Sequence, residues 1–234
     1  QSLLFSPYKD VTIGLDPARP AIAAEPWPGT QPPPVLTWAF ATGECGSERW
    51  GGFDTETFAR LNVEAFVRAG RGYIVSTGGE AGIFTCADDK DMARFIARYA
   101  SPQFVGLDFD IEGKQSNSQI DSLVLRALAA QRVRPALRIS FTLATHAGSD
   151  GTRRGLNATG ERVLHALARH RFDGAIINLM IMNYGTADRR WCVVTTGTDG
   201  SARCDMARSG LQAARNVHRK YGLPFNRIAI TAML

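Results

Sequence analysis

Long apolar runs are missing from this chain of 234 residues, cysteine is scarce at 4, and lysine supplies 4 of its 27 basic residues. Each shortage excludes something. The longest apolar runs, such as residues 174–182, are strand-sized, far short of the roughly 18 to 20 residues that span a bilayer, so no membrane partner is expected. Four cysteines are too few for a disulfide-stapled mini-protein, and none forms a C-x-x-C pair or has a histidine at zinc-finger spacing. The other basic residues are 23 arginines scattered along the chain, where a nucleic-acid footprint would gather on one face. No nucleic-acid partner is expected despite the net charge of +5.

What is present is a soluble, globular composition: 44% hydrophobic, 21% charged, and 23 glycines without a collagen period. Strand-like runs fall at residues 10–14, 35–41, 72–76, 104–112, 137–145, 175–184 and 227–234. Helical patterns lie between most of them. Met92, Phe95, Ile96 and Tyr99 repeat at helical spacing after a cap at Asp88 or Asp89, and Ile120, Leu123, Val124, Ala127 and Leu128 do so after Ser118. Further helices are predicted over 55–69, 160–169 and 206–221, the last stopping at Gly222 with Pro224 beyond. The first crossover is an exception, because residues 16–34 hold seven prolines and no helical period; an extended loop is expected there.

Alternating strands and helices with short links leave two architectures, a doubly wound sheet or a (β/α)8 barrel. The fourth strand chooses between them. In Gly106-Leu107-Asp108-Phe109-Asp110-Ile111-Glu112 the apolar residues take one face, and Asp108, Asp110 and Glu112 take the other. A carboxylate face has no place between two layers of apolar helices, but it can line a barrel mouth. The expected fold is therefore α/β, a TIM-type barrel forming one domain over residues 1–234. At about 250 residues for a typical barrel, the chain is short by a strand and its helix, and the seventh strand runs to Leu234.

Three acids spaced about 7 Å apart on one strand face cannot all ionise cheaply, so one proton is held near neutral pH. Glu112, at the C-terminal end where barrel enzymes work, is the natural holder, and a protonated acid there suits protonation of a glycosidic leaving oxygen. The alternative use of such acids is a divalent cation in phosphoryl transfer. Ser76-Thr77-Gly78-Gly79 lacks the lysine of a phosphate-binding loop; its glycines are expected to let the backbone approach the acid strand. Trp38 alternates with Leu36 and Phe40 as core, whereas Trp27, Trp50 and Trp191 fall in loops as candidates for stacking on sugar rings. His146, just past the fifth strand, is a subsite candidate; His165, His170 and His218 are read as surface or packing residues. The cysteines are either buried thiols or two disulfides, Cys45–Cys86 and Cys192–Cys204, the second restraining a polar segment without a core of its own.

The acid strand closely resembles the signature of glycoside hydrolase family 18 chitinases, Asp-Gly-x-Asp-x-Asp-x-Glu. Ser76-Thr77-Gly78-Gly79 is similar to that family's Ser-x-Gly-Gly, and Met180-Ile181-Met182-Asn183-Tyr184 to its Met-rich sixth strand ending in Tyr. The outline from Pro7-Tyr8-Lys9-Asp10-Val11-Thr12 through Cys45 and Trp50-Gly51-Gly52 to Met206 is similar to secreted bacterial members. The resemblance implies a (β/α)8 barrel and a retaining mechanism in which the substrate's acetamido oxygen attacks its own anomeric carbon. It implies that Glu112 is the acid and then the base, Asp110 the orienter of the acetamido group, Asp108 its partner in sharing a proton, and Tyr184 a donor to the acetamido oxygen. Met182 and Asn183 would line the same wall, with Ser76, Gly78 and Gly79 supporting the substrate site. It further implies chitin or a chito-oligosaccharide as partner, no cofactor, no metal, a monomer, and a secreted setting.

Three positions depart from the family pattern. Val105 replaces the first motif Asp, Asn183 stands where many relatives carry Asp, and the family's eighth strand with its subsite Trp has no counterpart before Leu234. Other activities on the same scaffold are a chitin-binding lectin or inhibitor, whose members typically lose the Glu that is present here, and an endo-β-N-acetylglucosaminidase.

Overall fold

Hydrophobic period sets the elements of this chain, and their ends are set by side-chain caps. The computed structural model describes residues 4–13, 16, 18–24 and 31–232. The elements run β1 (Tyr8–Asp10), β2 (Val35–Ala41), β3 (Gly43–Glu44), α1 (Thr55–Arg68), β4 (Gly72–Gly78), β5 (Phe84–Thr85), α2 (Asp89–Tyr99), β6 (Phe104–Ile111), α3 (Asn117–Val133) and β7 (Arg138–Ala144). They continue as α4 (Ala158–Arg169), β8 (Ile176–Met180), β9 (Val194–Thr196), β10 (Ala202–Cys204), α5 (Met206–Tyr221) and β11 (Ile228–Thr231). The chain divides into two compact units. One runs to Asp110 and resumes over Lys114–Ile139; the other comprises Ile111–Gly113 and the residues from Ser140 onward.

In the first unit β1, β2, β4 and β6 pair in that order, all parallel. Trp38 on β2 is fully buried, stacked on Tyr73 of β4 at 4.3 Å and edge-on to Phe66 of α1 at 5.0 Å, the core role expected of it. The predicted stripes of α2 and α3 are the buried faces of those helices. Asp88 caps α2, accepting from the Asp91 N–H at 2.8 Å. The start of α3 differs from expectation: Ser116 is the cap, because Gln119 three positions on completes a reciprocal capping box that Ser118 lacks. The first strand also differs. It lies at Tyr8–Asp10, since the Asp10 carboxylate accepts from the N–H and hydroxyl of Thr12 at 2.8 and 2.6 Å and turns the chain. In the proline-rich crossover the described residues form a short 3-10 turn, Ile22–Ala24, held by the Asn62 amide of α1.

Cys45 and Cys86 form a disulfide beside the small parallel pair β3–β5. Close by, the buried Glu48 accepts hydrogen bonds from Tyr99 and Arg98, and Trp50 donates to the Tyr99 hydroxyl at 2.6 Å. Burial and the Glu48 charge push the Tyr99 phenol well above its ordinary range.

In the second unit β7, β8 and β11 pair in parallel, counting β7 from Ser140. Helix α4 buries Val163, Leu164 and Leu167, and α5 buries Ala213, Ala214 and Val217. Gly222 ends α5 in the left-handed conformation at φ 67°, as the Gly-x-Pro pattern predicts. The Asn216 amide of α5 donates to the carbonyls of Gly148 and Arg154 at 2.9 and 2.8 Å, fixing the loop after β7. Cys192 and Cys204 are bonded, and the segment between them is an antiparallel hairpin, β9–β10, rather than the featureless loop expected. Turn glycines Gly197 and Gly200 permit that hairpin, with a Gly200 N–H to Gly197 carbonyl bond of 3.0 Å.

The fold class is α/β of the (β/α)8 TIM type, with seven of the parallel barrel strands among the described residues. Residues 233–234, the end of the predicted seventh strand, lie outside them, as does Gly14.

Candidate active site

The acid strand β6 buries both of its faces. Leu107, Phe109 and Ile111 are at most 1% exposed, and the opposite face carries Asp108 at 1% and Asp110 at 5%. A carboxylate so deeply placed needs hydrogen bonds to remain there. Asp108 Oδ2 accepts from the Ser76 hydroxyl at 2.7 Å and from the Tyr8 hydroxyl at 3.1 Å, so adjacent β4 and the distant β1 both aim a donor at it. Register makes this possible, because Ser76 lies opposite Asp108 and Gly78 opposite Asp110.

Gly78 and Gly79 act through what they lack. Both have positive φ, 86° and 81°. A Cβ on Gly78 would lie 2.1 Å from the Asp110 carbonyl oxygen, and one on Gly79 would press on the Phe40 ring at 3.1 Å. The Gly79 N–H donates to that same Asp110 carbonyl at 3.2 Å. These glycines bring β4 against the acid strand, as the sequence predicts, and anchor the backbone of Asp110 from its neighbour.

Glu112 follows β6 directly and belongs to the second unit, where it is half-buried on the wall of a cleft of about 360 Å³. Across that cleft stand Met180, Met182, Asn183 and Tyr184, from the end of β8 and the turn after it. Ala144, Thr145 and His146 from the end of β7, the α4 cap Asn157, and Trp191 complete the lining. The volume suits a sugar unit, and small-molecule sites usually fall in the range of about 300 to 1,000 Å³. Asn183 takes φ 57°, a left-handed geometry that asparagine tolerates better than most residues, and it turns the chain between Met182 and Tyr184.

Tyr184 is tied to β7. The Thr145 hydroxyl donates to the Met180 carbonyl at 2.7 Å, and its single proton is thereby used. The 3.1 Å contact between the Tyr184 and Thr145 hydroxyls is then donated by the tyrosine. Burial raises the Tyr184 pKa, with the Thr145 contact opposing, so the phenol keeps its proton at neutral pH. On the other wall Trp191 lies 4.7 Å from His146, and the Arg154 guanidinium sits 5.0 Å over the indole. Burial, then the Arg154 charge, pulls the His146 pKa down, favouring a neutral imidazole. The segment bearing Trp191 is sewn to the loop after β7: Ala147 donates to the Trp191 carbonyl at 2.7 Å, and the Ser149 hydroxyl to that of Cys192 at 2.9 Å.

The structure thus places Asp108, Asp110, Ser76, Gly78 and Gly79 together in the first unit, and Glu112, Tyr184, Met182 and Asn183 together in the second. Trp50 is a correction. It is fully buried, stacked on Phe58 at 4.4 Å, and presents no face to a sugar. The loop it occupies is pinned by a Trp50–Phe53 bridge, which folds the indole inward. Trp27 lies outside the described residues. Tyr8, Thr145 and Asn157 were not singled out as site residues from the sequence; Tyr8 meets Asp108 across 100 positions, and Thr145 shows no signal beyond its place at a strand end. Among the described residues no group of three or more His, Cys, Asp or Glu is gathered to hold a metal ion, and no helix is long and apolar enough to cross a membrane.

No protein-family model and no curated protein sequence matches the chain. Solved structures do. The catalytic domain of a hyperthermophilic chitinase from Pyrococcus furiosus matches with a TM-score of 0.66 at 22% identity, over 98% of this chain and 71% of that one. A xylanase-α-amylase inhibitor protein, solved with trehalose, matches with a TM-score of 0.54 at 12% identity, over 97% of this chain and 78% of that one. YKL-39, solved in the presence of chito-oligosaccharides, matches with a TM-score of 0.51 at 15% identity, over 85% of this chain and 57% of that one. The fold is that of chitinase-type barrels. It is the fold that the acid motif's resemblance to glycoside hydrolase family 18 implies, and the same scaffold also serves a protein named for inhibition rather than hydrolysis.

Proposed function

We propose that the chain is a family 18 glycoside hydrolase, one catalytic domain that cleaves β-1,4 bonds between N-acetylglucosamine units with retention of configuration. The observation that carries this reading is Glu112 on the wall of a sugar-sized cleft faced by Tyr184, Met182 and Asn183. Glu112 donates its proton to the leaving oxygen as the glycosidic bond breaks. The acetamido oxygen of the same sugar forms the new bond to the anomeric carbon, giving a cyclic oxazolinium. Tyr184 turns its proton from Thr145 to the acetamido oxygen and holds it in line. Asp110 orients the acetamido N–H and balances the positive charge that develops, while Asp108, bonded to Ser76 and Tyr8, fixes Asp110. Glu112, now a carboxylate, takes a proton from water as the water opens the ring, which restores the acid and frees a β-configured product. Met182 and Asn183 line the sugar wall, and Trp191 with His146 offers an aromatic surface for a neighbouring ring. The substrate supplies the nucleophile, so the reaction asks for no cofactor and no metal ion, and a monomer suffices. Support for a chitin-type ligand comes from solved chitinase structures of this fold that hold chito-oligosaccharides. Two disulfides favour an oxidising, extracellular setting.

The test is Glu112→Gln against a chromogenic chito-oligosaccharide. Turnover is expected to fall by roughly 10²- to 10⁴-fold with binding retained; unchanged turnover rejects the assignment. A second reading, a chitin-binding protein without hydrolytic activity, draws on YKL-39, a protein of this fold solved in the presence of chito-oligosaccharides. It predicts that wild type and variant bind equally and that neither turns over.

A further inference from the structure

Arg154 belongs to the loop after β7, in the second unit, and has no role so far beyond its place over Trp191. Close backbone packing sets that place. A Cβ on Gly148 would lie 3.2 Å from the Arg154 Cβ and 3.3 Å from the Arg190 carbonyl oxygen, so the glycine lets residue 154 and the segment bearing Trp191 press together. The Arg154 carbonyl accepts from the Gly148 N–H at 3.0 Å and from the Asn216 amide at 2.8 Å, and the Trp191 N–H donates to the Asp188 carbonyl at 2.9 Å. Both backbones are anchored, and the guanidinium stands 5.0 Å from the centre of the indole ring.

A second guanidinium, that of Arg190, lies 5.8 Å from the same ring, but the Asp188 carboxylate meets its charge, accepting from its Nε at 2.8 Å. Arg154 differs. Among the described residues no carboxylate stands within ion-pair distance of it, and the Asp150 carboxylate nearby is engaged by the N–H and hydroxyl of Thr152 at 3.1 and 2.6 Å. Trp191 lines the cleft that holds Glu112, with the His146 ring 4.7 Å away. A sugar ring packed on the indole would lie within roughly 10 Å of the Arg154 guanidinium whichever face it takes, about one Debye length at 0.1 M salt. An indole face ordinarily attracts a cation, but a guanidinium already draws on this one, and a second positive charge beside it is repelled. A neutral N-acetylated ring meets no such repulsion.

We propose that Arg154 is a specificity-determining residue: through the Trp191 platform it makes the cleft reject a protonated glucosamine, and accept an N-acetylated unit, in the ring next to the reacting sugar. The inference rests on the hydrolase reading for the sugar in the cleft and goes beyond it. Substrate assistance requires an acetamido group only on the reacting sugar and leaves its neighbour unspecified.

NMR titration of the Trp191 indole N–H in the Glu112→Gln chain, which leaves the oligosaccharide intact, tests this at low salt and a pH at which glucosamine amines are protonated. The ligands are chitotetraose and its fully deacetylated counterpart. The ratio of their Kd values, deacetylated over acetylated, is expected to fall about fivefold when Arg154→Gln is added and to hold with Arg154→Lys. An arginine that only props up the indole would weaken both ligands alike and leave the ratio in place, which overturns the proposal. If Arg154→Gln does not fold, Arg154→Met, whose unbranched stem keeps the contact with the ring, gives the same reading. Independently of any change at residue 154, the ratio should shrink as salt rises to about 0.5 M, and a salt-insensitive ratio also overturns the proposal. Failure of chitotetraose to bind at all rejects the sugar-cleft reading itself, whereas binding with an unmoved ratio rejects only the role of Arg154.

Discussion

Two carboxylate environments sit within five residues of each other and differ in kind. Asp108 and Asp110 are sealed among hydroxyls and glycine backbone, whereas Glu112 stands on the wall of an open cleft. The sealed pair depends on close backbone fit, so small additions there should break the fold locally. The cleft depends on side-chain chemistry, so changes there should spare stability and alter turnover. Burial thus separates Asp108, which sets geometry, from Glu112, which is open to a ligand.

This contrast is sharpened most by Tyr184→Phe, expected to cut kcat by roughly 10²-fold while the melting temperature holds, since the proposed function makes the lost hydroxyl the donor to the acetamido oxygen. Loss of stability with full activity would place Tyr184 with the sealed residues instead. On the other side, Gly78→Ala should cost at least about 2 kcal/mol, lowering Tm by roughly 4 to 8 °C, because the methyl meets the Asp110 carbonyl oxygen at a positive φ. An unaltered melt would mean that β4 and β6 are not so tightly fitted.

The disulfides offer a graded comparison. By chain entropy, the Cys45–Cys86 bond spanning 41 positions stabilises by about 4 kcal/mol, and Cys192–Cys204 spanning 12 by about 3. Paired Cys→Ser variants should follow that order in denaturant melts. The second pair should also raise KM for long chito-oligosaccharides, since Cys192 adjoins Trp191; Trp191→Ala should raise it about tenfold. Equal KM in all three proteins would remove Trp191 from the cleft's binding surface.

The smallest effect concerns pH. Glu161 of α4 accepts from Lys220 and Tyr221 of α5, at 2.7 and 2.6 Å, which holds its pKa below the ordinary glutamate range; burial and the same bond push the Tyr221 phenol up to about 12. A carboxylate with a depressed folded-state pKa adds stability above its unfolded pKa and loses that gain as pH falls through the folded value. Glu161→Gln should therefore flatten the acid side of the stability profile slightly and leave neutral turnover alone. A neutral-pH activity loss in that variant would contradict the assignment of Glu161 to structure.

Legibility in the sequence followed periodicity. The stripes of α2 and α3, the acid face of β6 and the Gly222 stop are repeats or local backbone requirements, and they appear in the structure where the pattern puts them. Trp50 was not legible, because a loop aromatic has no period to reveal that it folds under Phe58. The Tyr8–Asp108 bond joins residues 100 apart, and the meeting of Thr145 with Tyr184 depends on how strand ends converge.

The most direct test of the account follows hydrolysis of a chito-oligosaccharide by proton NMR, in wild type and Glu112→Gln side by side. The account predicts that the β-anomer of the product appears first with wild type and that no product forms on the same timescale with the variant. An α-anomer appearing first, or equal turnover by the two proteins, would contradict it.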